Sequence, residues 1–332
     1  MAQPDDRVNT LRAVAHLALR EWGLEVTAVE LISVSENTVF KVETQCGESL
    51  VLRVHRPGYH TLDELLSEQL WTAALNEAGV SAPVPRHAAD GRGYVSIRAP
   101  GTDTHYHVGL AEWVDGKTLN RVIKTDASEA TLMFWFERLG QLAARIHNTA
   151  VAWPIPKGFQ RHALDAHGLM GEAPFWGPFW VLPQLRKAER QQILHARTAI
   201  YRILSDYGKT HGTYSLIHAD LHPGNLLVHG DQLHIIDFDD TGFGWHPYEL
   251  AVALFSYWRR PAFEAIHEAL IRGYRAVRAF DDVAVELVRL FILVRALALL
   301  GWCHERPELD HGDAIAKLIE LACTEAAAWG VA

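Results

Sequence analysis

Short segments with alternating hydrophobic and polar positions in the first third of the chain predict β-strands. Three of them, Ala28–Val34, Thr38–Glu43 and Ser49–Val54, are separated by the polar turns Ser35-Glu36-Asn37 and Gln45-Cys46-Gly47-Glu48. Short strands joined by turns of this kind are typical of an antiparallel meander. The sequence therefore predicts a small antiparallel sheet near the start of the chain.

Two helices are predicted in the same region. Residues 8–22 have the pattern of a short amphipathic helix. Thr61, followed three residues later by Glu64, fits a capping box. Hydrophobic residues then continue at helical spacing, namely Leu62, Leu65, Leu66, Leu70 and Ala73. Gly79 is a suitable residue for the end of this second helix.

Two further strand candidates, Tyr94–Ile97 and His107–Trp113, give the first ~115 residues the order β-β-β-α-β-β after the opening helix. The rest of the chain, by contrast, has the period of long helices. One predicted helix has a hydrophobic face formed by Leu132, Phe136, Leu139, Ala143 and Ile146. The other predicted helical stretches are residues 184–208, residues 262–279, and Asp282 to the end with breaks near Pro307 and Gly312. Asp126 and Glu129 form a candidate helix cap.

One segment of the helical part has a different pattern. Leu216–Phe238 is predicted to be a loop, a short strand, a turn at Gly230-Asp231 and a second short strand. The change of character near Val114–Lys117 predicts two parts, residues 1–115 rich in strands and residues 116–332 mainly helical. The expected fold class is therefore α+β.

Composition limits the class of protein. The chain has 332 residues, of which 49% are hydrophobic and 21% charged, which is enough for a sizeable core and argues against disorder. The net charge of −9, without a Lys/Arg-rich run, disfavours nucleic acids and anionic membranes as partners. The apolar stretch Leu290–Trp302 is interrupted by Arg295 and is expected to be a buried helix, because it is far short of a membrane span.

Cysteine use and the first residues bear on the compartment. The three cysteines, Cys46, Cys303 and Cys323, are far apart and have no metal-ligand spacing. We expect a reduced, cytoplasmic setting, because disulfides belong to oxidising compartments. The opening residues MAQPDDRVNT are acidic and lack the apolar region of a signal peptide.

The segment Leu216–Glu249 contains the residues most suited to chemistry. Asp220 lies in a Pro/Gly-containing loop, Asn225 follows five residues later, and a predicted hairpin then ends at Asp237, with Asp239 close behind. Because a hairpin folds back on itself, Asn225 and Asp237 are expected to lie side by side. Amide and carboxylate oxygens suit Mg²⁺, and a carboxylate beside a metal-bound phosphate can orient a hydroxyl and accept its proton.

The sequence H-x-D-x-x-x-x-N, a hairpin and then D-F-D resembles the catalytic and metal-binding segments of the protein-kinase-like superfamily. The form His218-Ala219-Asp220-Leu221-His222-Pro223-Gly224-Asn225 is similar to the aminoglycoside phosphotransferase, choline kinase and homoserine kinase branch, which includes bacterial stress-response Ser/Thr kinases. The resemblance implies a two-lobed fold, with a small antiparallel-sheet N-lobe that binds nucleotide and a larger helical C-lobe that binds metal and acceptor.

The same resemblance implies roles for individual residues in the C-lobe. Asp220 would be the catalytic base, and Asn225 and Asp237 would be Mg²⁺ ligands, with Asp239 as an additional ligand or supporting group. Glu249 is expected to brace the catalytic loop rather than to react. His218 is expected to be a hydrogen-bonded loop histidine.

Five N-lobe positions are implied to contact ATP. Asn37 belongs to the phosphate-covering turn Ser35-Glu36-Asn37-Thr38, and Glu112 and Val114 fall where such kinases hold adenine by backbone hydrogen bonds. Glu68 matches the glutamate that orients the strand-3 cation, which is usually Lys and is Arg53 here. Arginine also binds phosphate oxygens, although it is not equivalent to lysine.

Three functions remain open at this point. The first is an ATP- and Mg²⁺-dependent kinase for a small hydroxylated acceptor such as an aminoglycoside, amino alcohol or hydroxy amino acid. The second is a Ser/Thr protein kinase of the stress-response type, and the third is a catalytically weak nucleotide-binding module. The eleven residues between Asp237 and Glu249 are too few for a long activation segment, which favours a small acceptor.

An aromatic group is expected either to pack in the core or to line the acceptor site: Phe175, Trp176, Phe179 and Trp180.

Overall fold

The chain divides into two compact units in the computed structural model, which describes residues 4–35, 37–126 and 128–331. The first unit consists of residues 1–116 together with 154–160 and 234–236. The second consists of residues 117–153, 161–233 and 237–332. The first unit therefore takes in two short segments from later in the chain.

A five-stranded antiparallel sheet forms the centre of the first unit, with the strand order β1-β2-β3-β5-β4. Its strands are β1 Val26–Val34, β2 Thr38–Thr44, β3 Ser49–Val54, β4 Tyr94–Arg98 and β5 His105–Glu112, and its helices are α1 Pro4–Leu19 and α2 Leu62–Glu77. The predicted antiparallel meander and the two flanking strands are thus confirmed.

Alternation along β2 shows why these residues form a sheet. Phe40 and Val42 are fully buried, whereas the alternating residues Val39, Lys41 and Glu43 are only partly buried. The buried side chains join those of α1, such as Val14 and Ala15, in one hydrophobic cluster. The helix is also tied to the sheet edge, because the Arg12 guanidinium donates a hydrogen bond of 3.1 Å to the carbonyl of Val29.

The predicted capping box of α2 is present. The Glu64 backbone N–H donates to the Thr61 hydroxyl at 3.3 Å, and the Glu64 carboxylate accepts a hydrogen bond of 2.8 Å from the Thr61 N–H. Gly79, with φ of 77°, follows the last turn. This conformation favours glycine, so the sequence signal for the end of α2 is also confirmed.

Helices dominate the second unit. Those described are α3 Leu119–Thr125, α4 Glu129–Ala152, α5 Ala166–Met170, α6 Lys187–Tyr207, α7 His246–Leu254, α8 Phe263–Arg275, α9 Asp282–His304 and α10 Ala314–Ala328. Ser128, not Asp126, caps α4, because Asp126 ends α3 and its carboxylate accepts the N–H of Ser128 at 3.0 Å.

Short strands lie among these helices, and the segment Leu216–Phe238 runs through them; residues 234–236 of this segment belong to the first unit. They are β6 Lys117–Thr118, β7 Ala163–Leu164, β8 Tyr214–Ile217, β9 Leu226–His229, β10 Gln232–Ile235 and β11 Gly242–Trp245. They form two three-stranded sheets, ordered β10-β9-β6 and β7-β11-β8. The predicted hairpin is confirmed as β9 and β10, whereas β8 and β11, which flank it, were not predicted as strands.

Helices α4 and α8 approach each other closely at two glycines. A Cβ atom at Gly140 would lie 2.0 Å from the carbonyl oxygen of Leu270, and one at Gly273 would lie 1.9 Å from the carbonyl oxygen of Glu137. Each glycine therefore gives room for the backbone of the facing helix. Two glycines inside helices, which cost stability by themselves, are explained by this contact.

We predict that Gly140→Ala destabilises the protein, although alanine ordinarily stabilises a helix by about 1 kcal/mol relative to glycine. The added methyl group must push α4 away from α8, and overpacking of this kind costs about 1–3 kcal/mol. Thermal unfolding checks the prediction, with the neighbouring substitution Gln141→Ala as a control. A melting temperature equal to or above that of the wild type would show that the helices separate freely.

Candidate active site

A buried carboxylate holds the loop that contains Asp220. Glu249, in the first turn of α7, accepts a hydrogen bond of 2.7 Å from the N–H of His218 and one of 2.8 Å from the N–H of Ala219. Ala219 has φ of 65°, which an alanine adopts only under constraint. Because the loop turns at Ala219, the N–H groups of His218 and Ala219 both point to the Glu249 side chain. The expected bracing role of Glu249 is confirmed.

Glu249 is fully buried. The Nε2 atom of His147 lies 3.9 Å from the carboxylate. The His147 ring stacks on His246 at 4.1 Å, and its Nδ1 shares a hydrogen bond of 2.8 Å with the Tyr274 hydroxyl. Burial lowers the pKa of both histidines, so both rings are neutral. Burial also raises the pKa of Glu249, and the charge of His218 and the two backbone N–H bonds oppose that rise.

Asp220 is held by groups on both of its carboxylate oxygens. The Arg295 guanidinium donates to Oδ1, and the Asn225 amide donates to Oδ2 at 2.8 Å. His222 Nε2 lies 3.4 Å from Oδ2. Burial raises the pKa of Asp220, but the charge of Arg295 and the bond from His222 outweigh it, so the pKa lies well below its usual value. The carboxylate is therefore ionised and fixed in orientation.

Asn225 is positioned by a short turn, Pro223–Asn225, which His222 caps by accepting the N–H of Gly224 at 2.9 Å. Its amide nitrogen also donates to the Asp220 carbonyl at 3.0 Å. Because the amide nitrogen of Asn225 donates to Asp220, the amide oxygen points away from Asp220. An oxygen that faces away from the base is what a Mg²⁺ ligand at this position requires.

The loop after β10 carries the predicted carboxylate ligands. Asp237 is exposed and has φ of 65°, a strained conformation for a residue with a side chain, whereas Asp239 is buried. Arg161 fixes this loop by donating to the carbonyls of Phe238, Asp239 and Thr241. The loop is therefore rigid at the positions that would hold a metal.

The metal assignment itself stays a prediction. Within residues 4–35, 37–126 and 128–331, no group of three or more His, Cys, Asp or Glu side chains is arranged to hold an ion. Mg²⁺ is usually bound by one or two carboxylates together with substrate phosphates. Asn225, Asp237 and Asp239 fit that donor set, since all three supply oxygen.

Aromatic side chains form a wall beside Asp220. Trp176 and Tyr248 are buried and stacked at 6.2 Å, and the Arg295 guanidinium lies 5.6 Å from the centre of the Trp176 ring. The indole N–H of Trp176 donates a long bond of 3.4 Å to Asp240 Oδ1. Phe179 is wholly buried. Phe179 therefore packs in the core, which is one of the two expected roles, whereas lining of the acceptor site by this aromatic group stays a prediction.

Arg295 is the member of this site that sequence reasoning missed. It is 7% exposed and lies on α9 among hydrophobic residues. The motif lies within Leu216–Glu249, and in the sequence Arg295 only interrupts an apolar stretch. The signal was present, because a lone arginine in a buried helix needs an acidic partner.

In the first unit, Arg53 and Glu68 form the predicted ion pair. Arg53 Nη1 lies 3.1 Å from Glu68 Oε1, and the two side chains are 17% and 6% exposed. The pair joins β3 to α2 in the way that the resemblance implies. Contact of Arg53 with phosphate stays a prediction.

The remaining nucleotide positions are partly engaged within the first unit. The Asn37 side-chain oxygen accepts the N–H of Arg56 at 3.2 Å, so this residue braces the turn between β1 and β2; Glu36 lies outside the described residues. The N–H of Glu112 donates to the carbonyl of Val84 at 2.9 Å. Adenine binding by Glu112 and Val114 stays a prediction.

No helix in the described ranges is long and apolar enough to cross a membrane. This agrees with the expectation that Leu290–Trp302 is part of a buried helix, since α9 contains it and most of its residues are buried.

Comparison with known proteins supports the chemistry expected of this site. A solved microcompartment-associated aminopropanol kinase superposes with a TM-score of 0.81 and 29% identity over 95% of both chains. Amicoumacin kinase of Bacillus subtilis (strain 168) is 20% identical over 88% of this chain and 84% of its own. Homoserine kinase of Rhizobium meliloti (strain 1021) is 26% identical over 68% of this chain and 62% of its own.

The family model described as "Phosphotransferase enzyme family" matches residues 27–285, which include β1 to β5, the Asp220 loop and Glu249. The match covers well over half of the chain. The chain therefore belongs to this phosphotransferase family and is an ATP-dependent kinase with a small-molecule hydroxyl group as its acceptor.

Proposed function

We propose that the enzyme transfers the γ-phosphoryl group of Mg²⁺-bound ATP directly to the hydroxyl of a small amine-containing alcohol, with Asp220 as the base. The observation that carries this proposal is the fixed, ionised Asp220 carboxylate, bonded to Arg295 and Asn225 on a loop braced by Glu249. Amine-containing alcohols are the acceptors named for the aminopropanol kinase and homoserine kinase relatives.

The chemistry needs positioning more than covalent catalysis. Phosphoryl transfer has a loose transition state, so the enzyme aligns the reactants and neutralises charge. The bond between the acceptor oxygen and the γ-phosphorus forms as the bond to the β–γ bridging oxygen breaks. ADP leaves with that electron pair, and Asp220 accepts the hydroxyl proton.

Each unit has its own part in this proposal. In the second unit, Asn225, Asp237 and Asp239 would hold Mg²⁺, which supplies charge neutralisation at the phosphates when bound. In the first unit, Arg53, oriented by Glu68, would contact phosphate oxygens. Because the N–H groups of Glu112 and Trp113 donate to the carbonyls of Val84 and Ser49, we assign the adenine-binding N–H to Val114.

The first prediction concerns the base. Asp220→Asn keeps the shape of the side chain but removes the charge and the proton acceptor, so kcat should fall by about 10²–10⁴ while ATP still binds. Steady-state kinetics and nucleotide binding test this, with Asp231→Asn, an exposed carboxylate in the β9–β10 turn, as the control. Label that passes from ATP to a stable phospho-enzyme and then to acceptor would contradict direct transfer.

The second prediction concerns the metal. Asp237→Asn retains a residue that tolerates positive φ but loses the charge, so turnover should fall at least about 10²-fold and more Mg²⁺ should be required. Activity measured against Mg²⁺ concentration tests this, and Asp231→Asn again serves as the control. Unchanged turnover with an unchanged Mg²⁺ requirement would remove Asp237 from the metal site.

The third prediction concerns the nucleotide. Arg53→Ala should weaken ATP binding or slow transfer, and Arg53→Lys should retain a substantial part of the activity because it keeps a positive charge. The KM for ATP and direct nucleotide binding are the measurements. If both variants match the wild type, Arg53 serves only to pair with Glu68.

A further inference from the structure

Helix α9 brings Arg295 to the point where the acceptor must bind. A base takes a proton only within hydrogen-bond distance, about 2.6–3.2 Å, so the acceptor hydroxyl has to reach the Asp220 carboxylate. Arg295 donates to Oδ1 of that same carboxylate. The Arg295 guanidinium therefore lies beside any acceptor whose hydroxyl contacts Asp220. It can reach a substituent of that acceptor a few bonds away from the hydroxyl.

Arg295 has donors to spare. A guanidinium carries five N–H donors. One Nη group donates to Asp220, and the other makes only a long contact of 3.5 Å with the Tyr248 hydroxyl. Within the described ranges of the chain, these two are the bonds that Arg295 makes. Its remaining donors, on Nε and Nη1, could donate to a second carboxylate without loss of the bond to Asp220.

The surroundings fix the guanidinium in place. The centre of the Trp176 ring lies 5.6 Å from the guanidinium. The backbone next to Trp176 packs closely against α9 at Gly301, where an added Cβ would lie only 2.4 Å from the Gly177 carbonyl oxygen. Arg295 is thus rigid, and at 7% exposure it is largely shielded from water. A buried ion pair contributes little to stability compared with hydrophobic residues of the same volume, so stability alone does not explain this arginine.

We propose that Arg295 determines acceptor specificity by binding the carboxylate of a hydroxy amino acid, while Asp220 takes the proton of its hydroxyl. This inference rests on the proposed function and narrows its acceptor class. Arginine suits the role because its planar fork matches a carboxylate and it stays charged. The reaction is the one given above, with the carboxylate of the acceptor unchanged throughout.

Matched acceptors that differ only in the carboxylate test the proposal on the wild-type enzyme. The pairs are serine with ethanolamine, threonine with 1-aminopropan-2-ol, and homoserine with 3-aminopropan-1-ol. The ammonium group is common to both members of a pair, so the ratio of kcat/KM isolates the carboxylate. In the pair with the best acceptor, we expect the amino acid to be favoured about 10–100-fold, since hydrogen bonds to charged groups have strengths of that order.

Analogues without the hydroxyl give a second measurement that needs no variant. The analogue 2-aminobutanoate is homoserine without its hydroxyl, and propan-1-amine is 3-aminopropan-1-ol without its hydroxyl. If the homoserine pair is the best pair, 2-aminobutanoate should be the stronger competitive inhibitor by at least about tenfold. If another pair contains the best acceptor, the analogues of that pair without the hydroxyl are compared instead.

Variants then assign the preference to one residue. Arg295→Gln should lower kcat/KM for the amino acid at least about tenfold more than for the amino alcohol, mainly through KM. Arg295→Lys should keep more of the preference, because it retains the charge. Arg289→Gln is the matched control, since Arg289 lies on the same helix, is 38% exposed and pairs with Glu264.

The outcomes separate the proposals. An equal loss for both members of a pair, mainly in kcat, would make Arg295 a positioning residue for Asp220 and overturn the carboxylate site. A wild-type enzyme that prefers amino alcohols, or that hydrolyses ATP but phosphorylates none of the six acceptors, would also overturn it. If instead the wild type neither binds nor hydrolyses ATP, the proposed function itself fails.

Discussion

The two backbone hydrogen bonds that Glu249 accepts are the constraint on which the catalytic site depends. Without them, the N–H groups of His218 and Ala219 would be left unpaired in a buried loop, at a cost of about 1–3 kcal/mol each. The same bonds offset the unfavourable conformation of Ala219. Asp220 follows directly in the chain, so the Glu249 side chain helps to set the direction in which the Asp220 carboxylate points.

This arrangement separates structural charge from catalytic charge. Glu249 is fully buried beside the neutral ring of His147, and its carboxylate accepts two backbone N–H groups. Asp220 has a guanidinium partner and an amide partner instead. The Asp220 carboxylate is thus kept ionised by its own neighbours, while the buried Glu249 carboxylate holds the loop.

Much of the architecture could be predicted from the sequence, because local signals agreed with the final structure. The meander, the Thr61 capping box and the β9–β10 hairpin each depend on residues close together in the chain, and all are confirmed. Strands β8 and β11 were missed because they pair across more than twenty residues, and short strands of this kind have no local pattern. Arg295 was missed for the same reason: it contacts Asp220 from 75 residues away.

The separation of Arg295 from the catalytic segment has a consequence for how such enzymes diversify. The base and the proposed metal ligands lie in one continuous stretch of chain, whereas the cation beside the base comes from a distant helix held close to the Trp176 loop at Gly301. On the proposed roles, a change at this one position on α9 would alter which molecules are modified, while the sequence of the catalytic segment stays the same. Two descendants could then share an identical catalytic signature and yet act in unrelated metabolism.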